Sequence, residues 1–182
     1  MLRAFIGTLA VLAGFGVLER TSVDASTGHA ATCTATEAYA LLQPGEAVPV
    51  RLEPSHQGAT IGTLSDRSGR ALDRTQVTVT GSRSGWARIA LNTAPGYTDA
   101  AAGAQSFGWV PADLLTVDAR VDGPITVYSR PGLLGDKLGT IENGDMKFRV
   151  LGCRGTWLQV VNASHGNVWI DKWCGREQSC RS

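Results

Sequence analysis

An internal repeat constrains the fold of this chain more than any other feature of its sequence. Residues 48–64 align with residues 125–141 without a gap, at an offset of 77 positions. The identical pairs in this alignment are Val50/Val127, Pro54/Pro131, Gly58/Gly135, Gly62/Gly139 and Thr63/Thr140. A period of this length indicates one small domain used twice, because the units of solenoid proteins repeat roughly every 20–50 residues.

The repeat continues beyond this block, with connecting segments of different length. Residues 77–89 match residues 148–160, and residues 107–110 match residues 167–170. In both copies, short runs rich in β-branched residues alternate with glycine and proline, a pattern typical of all-β proteins. The one candidate helix, residues 36–42, is short, and we interpret it as a lead-in that closes the first copy.

The N-terminal thirty residues differ from the rest of the chain. Arg3 gives a positive charge at the start, residues 4–18 are mainly apolar, and small-residue sites follow at residues 23–25 and 28–30. This order is typical of a secretory signal peptide, and the apolar run is short for a membrane span. We expect a signal peptide over residues 1–25, with an alternative end near residue 30. The competing interpretation is an uncleaved membrane anchor.

The rest of the chain contains four cysteines, and an even number behind a signal peptide predicts two disulfides in an oxidising compartment. They are Cys33, Cys153, Cys174 and Cys180, and the sequence leaves their three possible pairings open. We find no Cys-x-x-Cys pair and no histidine at ligand spacing, so we expect no metal and no cofactor. The formal net charge of +1 is spread without basic blocks, which argues against nucleic acid and anionic lipid as partners.

Four segments of the second copy carry a recognisable pattern. They are residues 127–132 (VYSRPG), 138–145 (LGTIENGD), 157–160 (WLQV) and 166–171 (GNVWID). With these motifs the second copy resembles a bacterial SH3-like (SH3b) domain. The first copy resembles it more loosely, through residues 52–54, 85–89 and 108–111. The resemblance implies two tandem small SH3-like β-barrels, at residues 33–117 and 121–180, joined by a short link at residues 116–122.

The sequence departs from each catalytic template that it approaches. Residues 81–85 have the glycine spacing of a nucleophile elbow, but arginine stands where the serine is required. Residues 139–144 have the glycine spacing of a phosphate-binding loop, but Asp145 replaces the lysine. His56 and His165 fall on predicted turns, and we interpret them as surface residues and not as the base of a Cys-His pair. We therefore expect no enzyme.

Aromatic residues are the remaining candidates for binding. Equivalent positions in the two copies favour packing in the core or at the barrel rim for four tryptophans, Trp86, Trp157, Trp109 and Trp169. Aromatic residues without an aromatic counterpart in the other copy are where a stacking or groove-lining contact is expected. We predict such ligand contacts, or alternatively contacts between the two copies, for Tyr97, Tyr128 and Trp173.

These features together predict a secreted or periplasmic, non-catalytic module that binds an envelope protein, a peptide or a cell-wall glycan. The bacterial envelope is implied by the resemblance, because SH3b domains are common in exported bacterial proteins. After signal cleavage we expect no stable membrane span. Two alternatives are a structural subunit of an envelope assembly with no small ligand, and a cell-wall hydrolase or inhibitor.

The signal-peptide interpretation predicts a mature chain that begins near Ser26 or Ala31. N-terminal sequencing of the protein from an envelope fraction should show one of these two residues first. Met1 retained in a membrane pellet would instead support the uncleaved anchor.

Overall fold

The computed structural model describes residues 30–66, 75–100, 105–118, 123–132, 134–142, 147–176 and 179–181. Within these ranges the protein is all-β, as predicted, and contains fifteen strands and one short 3₁₀ turn at Ala112–Leu114. The expected signal peptide, residues 1–25, lies outside the described residues. No helix in the described part of the chain has the length and apolar character that a membrane crossing requires.

The strands follow the order of the two repeat copies. In and around the first copy they are β1 Ala31–Ala40, β2 Ala47–Arg51, β3 Thr60–Ser65, β4 Thr75–Arg83, β5 Trp86–Ala90, β6 Tyr97–Asp99, β7 Phe107–Pro111 and β8 Leu115–Asp118. In the second copy they are β9 Ile125–Tyr128, β10 Lys137–Ile141, β11 Lys147–Arg154, β12 Trp157–Asn162, β13 Gly166–Ile170, β14 Trp173–Arg176 and β15 Ser179–Arg181. They pair antiparallel in the order β10-β9-β13-β12-β11-β8-β1-β4-β5-β7-β2-β3-β6, while β14 pairs with β8 and β15.

The strand register of the second copy repeats that of the first. Beside the bulge in the β2–β3 pair, the partners are Val50–Gly62 and Arg51–Thr60. Beside the bulge in the β9–β10 pair, the partners are Val127–Gly139 and Tyr128–Lys137. Each residue of the second set lies 77 positions after its counterpart in the first, so the gapless sequence alignment corresponds to equivalent positions in space.

The two tryptophan hairpins are also equivalent. β4 pairs with β5 up to Arg83–Trp86, and β11 pairs with β12 up to Arg154–Trp157, which leaves a two-residue turn in each. In the first turn both central residues have positive φ, 48° at Ser84 and 79° at the following glycine. Two positive φ angles in succession are typical of a type I′ turn, which suits the twist of the flanking strands. The alignment of residues 77–89 with residues 148–160 thus corresponds to two equivalent hairpins, with their tips at residues 84–85 and 155–156.

Residues 36–42 form no helix, and the prediction of a helical lead-in was wrong. They belong to β1 and the residues that follow it, and β1 pairs with β4 from Ala31 to Ala40. Thr36, Ala38 and Ala40 are buried and the residues between them are more exposed, which is the period of a strand. So short a run fits both the helical and the strand periodicity of apolar residues, and the pairing with β4 decides its structure.

β8 occupies the start of the expected link and is a strand shared by both copies. It pairs with β1 through Leu115 and Thr116, and with β11 through Thr116, Val117 and Asp118. Leu115, Thr116 and Val117 are buried, and the Thr116 hydroxyl donates a hydrogen bond of 3.0 Å to the Phe148 carbonyl. The described start of the link, Thr116 to Asp118, is therefore a core strand between the copies.

A disulfide joins the copies beside this junction. Cys33 of β1 bonds to Cys153 of β11, with Cα atoms 5.7 Å apart and a sequence separation of 120. The Ser82 hydroxyl donates to the Cys153 carbonyl at 3.1 Å and accepts from the Cys153 N–H at 2.9 Å. The Thr34 N–H donates to the Gly155 carbonyl at 2.7 Å. The disulfide prediction is confirmed for this pair of cysteines.

The buried side chains of both copies form one hydrophobic cluster within the described residues. Its largest fully buried members from the first copy are Leu64, Ile89, Val50, Val77, Val79 and Val110. Those from the second copy are Phe148, Ile125, Leu158 and Ile170. Each such side chain contributes about 1.5–3 kcal/mol when it is removed from water, so this cluster provides most of the driving force for folding.

We expect Cys174 and Cys180 to form the second disulfide. Their side chains lie outside the described part of the structure, but their backbones are direct partners in the β14–β15 pair. Directly opposed residues of antiparallel strands have Cα atoms about 4.5–5.5 Å apart. This separation falls in the range that a disulfide requires, and Cys33 and Cys153 are already joined.

Peptide mapping by mass spectrometry without reduction should recover Cys174 and Cys180 in one linked fragment. Thiol labelling of the denatured, unreduced protein should modify no cysteine. Labelling of Cys174 and Cys180 in freshly isolated protein would contradict the second disulfide.

Candidate functional site

Two adjoining clefts lie where the two repeat copies meet. They share the lining residues Ser84, Gly85, Leu151 and Gln159, so we treat them as two arms of one inter-copy groove. The arms have volumes of about 440 Å³ and 720 Å³. These volumes fall within the range of roughly 300–1,000 Å³ that is usual for small-molecule sites.

The two arms of the groove differ in chemistry. The larger arm, here the Trp86 arm, is further lined by His56, Trp86, Pro111, Ala112, Asp113, Leu114 and Asn167. The smaller arm, here the Arg83 arm, is further lined by Ala31, Ser82, Arg83, Pro131, Gly152, Cys153, Arg154 and Trp169. One arm thus carries a carboxylate beside an aromatic pair, and the other carries two guanidinium groups.

Strand register places Tyr128 on the same face as residues that line the groove. Tyr128 of β9 pairs with Trp169 of β13, Trp169 pairs with Gln159 of β12, and Gln159 pairs with Gly152 of β11. Directly paired residues on neighbouring strands have their side chains on one face of the sheet. Trp169, Gln159 and Gly152 line the Arg83 arm, so the row that begins at Tyr128 leads into the groove.

Three half-buried aromatic residues lie on this outward face, and we call them the aromatic wall: Tyr128, Trp157 and Trp169. The rings of Tyr128 and Trp157 meet edge to face, with centroids 5.1 Å apart and an angle of 84° between their planes. This geometry suits the aromatic quadrupole and fixes both rings while leaving part of each exposed. Tyr128, a predicted ligand contact, therefore lies beside the groove.

Of the two packing sites predicted for the tryptophans, the core is wrong for Trp157 and Trp169. Along β12 and β13 the buried positions alternate with these residues, and the buried apolar residues belong to the hydrophobic cluster. The two tryptophans thus lie on the opposite side of the sheet from the core. Trp157 and Trp169 are only half-buried, because the outward face of the second copy is partly open.

The equivalent tryptophans of the first copy are more enclosed. Trp86 is 8% exposed and Trp109 is 7% exposed, although neither belongs to the hydrophobic cluster. The His56 ring meets Trp86 edge-on, with centroids 5.0 Å apart. His56 was interpreted as a surface residue, and its side chain is exposed while it covers Trp86. Trp86 and Trp109 are thus buried, as the packing prediction requires, but they lie on the outward face of the sheet and not in the core.

Tyr97, another predicted ligand contact, is held within the first copy. Its ring packs on Gly62 of β3, where an added Cβ atom would lie 2.5 Å from the ring. Its hydroxyl lies 3.2 Å from the Ile61 carbonyl and also hydrogen-bonds to the Asp99 carboxylate. Burial, together with the hydrogen bond and the charge of Asp99, raises the pKa of Tyr97 to about 12. These contacts anchor β6 to β3.

His165 takes the place of Tyr97 in the second copy. An added Cβ atom at Gly139, the counterpart of Gly62, would lie 3.0 Å from the His165 ring. His165 Nδ1 lies 3.1 Å from Asn162 Oδ1, which also accepts the backbone N–H groups of Ser164 and His165 at 3.0 Å each. Gly62 and Gly139 therefore each allow a ring to pack directly on the strand, because they have no side chain.

Trp173 does not line the groove, and its position agrees with the alternative prediction of a contact between the two copies. The side chain is 2% exposed and belongs to the hydrophobic cluster. Trp173 begins β14, which pairs with β8 through Cys174 and Asp118 and so lies against the junction between the copies. β14 pairs with β8 as β8 pairs with β1, but the sequence alignments end before these strands.

The cysteines and histidines whose side chains are described make contacts other than a nucleophile-base pair. Cys33 and Cys153 are joined in a disulfide, His56 packs on Trp86, and His165 bonds to Asn162. Among the residues that the structure describes, no three metal-ligating side chains form a cluster that could hold an ion.

No protein-family model matches the sequence, and no curated protein matches it. Two solved structures from Trichomonas vaginalis are similar to this chain. NlpC1 is 14% identical with a TM-score of 0.32, over 75% of this chain and 44% of NlpC1. NlpC2 is 12% identical with a TM-score of 0.33, over 82% of this chain and 48% of NlpC2. The chain spans about half the length of each, and likeness at this level assigns neither a family nor an activity.

The raised pKa of Tyr97 predicts a dependence of stability on pH. The unfolded chain releases the phenol proton near pH 10, while the folded protein holds it until about pH 12. The contribution of this proton to the free energy of unfolding is therefore complete below pH 10 and is lost as the pH rises to about 12. Denaturant titrations across this window should show falling stability, with a smaller fall in Tyr97→Phe.

Asp99→Asn serves as the matched control for this pH dependence. It removes the carboxylate that helps to raise the pKa of Tyr97 and keeps the phenol, so the ultraviolet titration of Tyr97 should shift toward lower pH. An unchanged slope of stability in Tyr97→Phe would show that another group is responsible.

Proposed function

We propose that this protein is a non-catalytic binding module of the bacterial cell envelope, and that its ligand lies in the inter-copy groove against the aromatic wall. The observation that carries the proposal is the wall itself, three half-buried rings on the outward face beside the groove. Rigid aromatic side chains provide large contact areas at low cost in conformational entropy. The ligand that we propose is a peptide or a glycan of the cell wall.

The domain organisation that we propose is two SH3-like units, at residues 33–117 and 121–180. The likeness of the second copy to SH3b domains and the repeated strand register support it. β1 and β8 bind the units together through both backbone pairing and burial. The units are thus expected to present one groove between them and not two independent sites.

The envelope setting rests on the chemistry of the cysteines and on the N-terminal sequence. The Cys33–Cys153 disulfide favours an oxidising compartment. The signal-peptide pattern in residues 1–25 favours export. A secreted or periplasmic location follows from the two together, and it exposes the groove to cell-wall polymers.

Binding of the mature protein to purified peptidoglycan tests the proposal. Tyr128→Ala and Trp169→Ala should each weaken binding by about tenfold or more, because removal of an interface hot-spot aromatic costs about 2 kcal/mol. Phe107→Ala is the matched control, since Phe107 is a 48% exposed aromatic residue that does not line the groove. Peptidoglycan stripped of its peptides separates the two ligands, because only a glycan-binding groove retains its affinity.

Thermal unfolding of every variant should accompany the binding measurement. Trp86→Ala should lower the free energy of unfolding by close to the roughly 3–5 kcal/mol that is usual for emptying a buried tryptophan site. Trp157→Ala should lower it by less. Capture of an envelope protein with no affinity for peptidoglycan, unaffected by the wall substitutions, would contradict the proposal. That outcome would favour a structural subunit.

A further inference from the structure

β3 and β10 are equivalent strands with different surroundings. Both pair with the preceding strand of their copy, β3 with β2 and β10 with β9. β3 also pairs with β6 on its other side. Within the described ranges, β10 has no strand on that side and ends the sheet. The second copy thus leaves open an edge that the first copy covers.

The covering strand comes from the longer connection between β5 and β7. Residues 92–106 supply it in the first copy, whereas the corresponding residues 162–166 of the second copy form only a short turn. The partners across β3 and β6 are Leu64–Tyr97, Thr63–Thr98 and Gly62–Asp99. Two further backbone hydrogen bonds of 3.0 Å lie at the ends of this strand pair. The Ala100 N–H donates to the Ile61 carbonyl, and the Ser65 N–H donates to the Gly96 carbonyl.

The backbone groups that face the covered edge can be identified residue by residue. Thr63 lies opposite Pro49 of β2, and proline has no N–H, so this pair cannot exchange both ladder bonds. The backbone of Thr63 is therefore directed toward β6, as are the Ile61 carbonyl and the Ser65 N–H. Every second residue of β3 thus directs its backbone N–H and carbonyl groups toward this edge.

The offset of 77 residues transfers this assignment to β10. Leu138, Thr140 and Glu142 are the counterparts of Ile61, Thr63 and Ser65, and all three are exposed. The Thr140 N–H and carbonyl, with the Leu138 carbonyl and the Glu142 N–H, therefore face away from β9. An exposed row of backbone donors and acceptors is a template for an added strand.

We propose that this open edge of β10 binds an extended peptide segment, which adds as an antiparallel strand in the way that β6 adds to β3. Backbone hydrogen bonds would give the affinity, and alternate side chains the selectivity. The site is distinct from the inter-copy groove. The proposal can therefore be tested independently of the function proposed for the groove.

The surroundings of β10 define the side chains that the peptide needs. His165 already covers Gly139, so the residue at the position of Tyr97 must be small. The residue at the position of Asp99 would lie opposite Gly139, as Asp99 lies opposite Gly62 in the first copy. By analogy with Tyr97–Asp99 of β6, the expected segment is small, then β-branched, then acidic.

The sharpest probe is a blocked peptide of residues 95–100 with Tyr97 replaced by alanine, titrated into the isotope-labelled mature protein. Saturable amide shifts are expected at residues 138–142 at millimolar peptide. The same peptide N-methylated at Thr98 should bind about tenfold or more weakly, because it loses the central bond to the Thr140 carbonyl. This comparison leaves the protein unaltered.

Thr140→Pro tests the other hydrogen bond of the same residue pair, from the Thr140 N–H to the peptide carbonyl at the position of Thr98. Proline is tolerated at an edge strand where the N–H faces solvent, so the substitution should keep the β9–β10 pair and abolish the shifts. Thr140→Ala is the matched control and should bind as the original chain does, since it retains the backbone N–H.

Four outcomes would overturn the proposal. The first is no saturable shift at millimolar peptide, and the second is equal binding of the N-methylated peptide. The third is a dimer in analytical ultracentrifugation that Thr140→Pro converts to a monomer, because this would assign the edge to a second copy of the chain. Shifts confined to Trp169 and Gln159 would place the peptide in the groove and would also exclude the β10 edge.

Discussion

Backbone pairing of β1 is the constraint on which the rest of the structure depends. β1 runs along β4 of the first copy, while its N-terminal half bonds to the tip of the β11–β12 hairpin of the second. The Cys33–Cys153 disulfide fixes this position, and Ser82 bonds to the same cysteine from the first copy. Ser82 and Cys153 are equivalent residues of the repeat. The copies thus meet through the same feature, their tryptophan hairpins, and the groove is the space beside that meeting.

Much of each repeat copy could be predicted from sequence because it is encoded locally. The glycines and valines that align at a 77-residue offset occupy equivalent ladder positions, and the hairpin turns fall where glycine spacing predicts them. β1 was not predicted, because it lies outside the sequence alignments and its structure depends on pairing with distant strands. Its counterpart is β8, which pairs with β11 as β1 pairs with β4 and which lies in the segment that the sequence analysis interpreted as a link. The groove was missed for the same reason. The pairing of Cys33 with Cys153 would have indicated it, but four cysteines leave three pairings open.

The tryptophans show a different limit of sequence reasoning. Alternation along β12 separates Trp157 from Leu158 and Val160, but both sets are apolar, so the pattern does not tell which set faces the core. In the folded chain the core side of β12 and β13 is occupied by Leu158, Val160, Val168 and Ile170. The rings of Trp157 and Trp169 therefore lie on the outward face. Equivalence between the copies indicated a shared position for the paired tryptophans but did not distinguish the core from the outward face.

Unequal loops give the two copies different surfaces. In the first copy the long connection adds β6, its Tyr97 covers Gly62, and His56 covers Trp86. In the second copy the connection is a short turn, so among the described strands none covers β10, and the aromatic wall is half-exposed. The two open features are contiguous, because Lys137 of β10 is the direct partner of Tyr128. Neighbouring strands lie about 4.8 Å apart, so a strand added to β10 would lie about 10 Å from β9 and extend the face that carries the wall. The first copy therefore supplies the scaffold, and the second supplies the surface that remains available for a ligand.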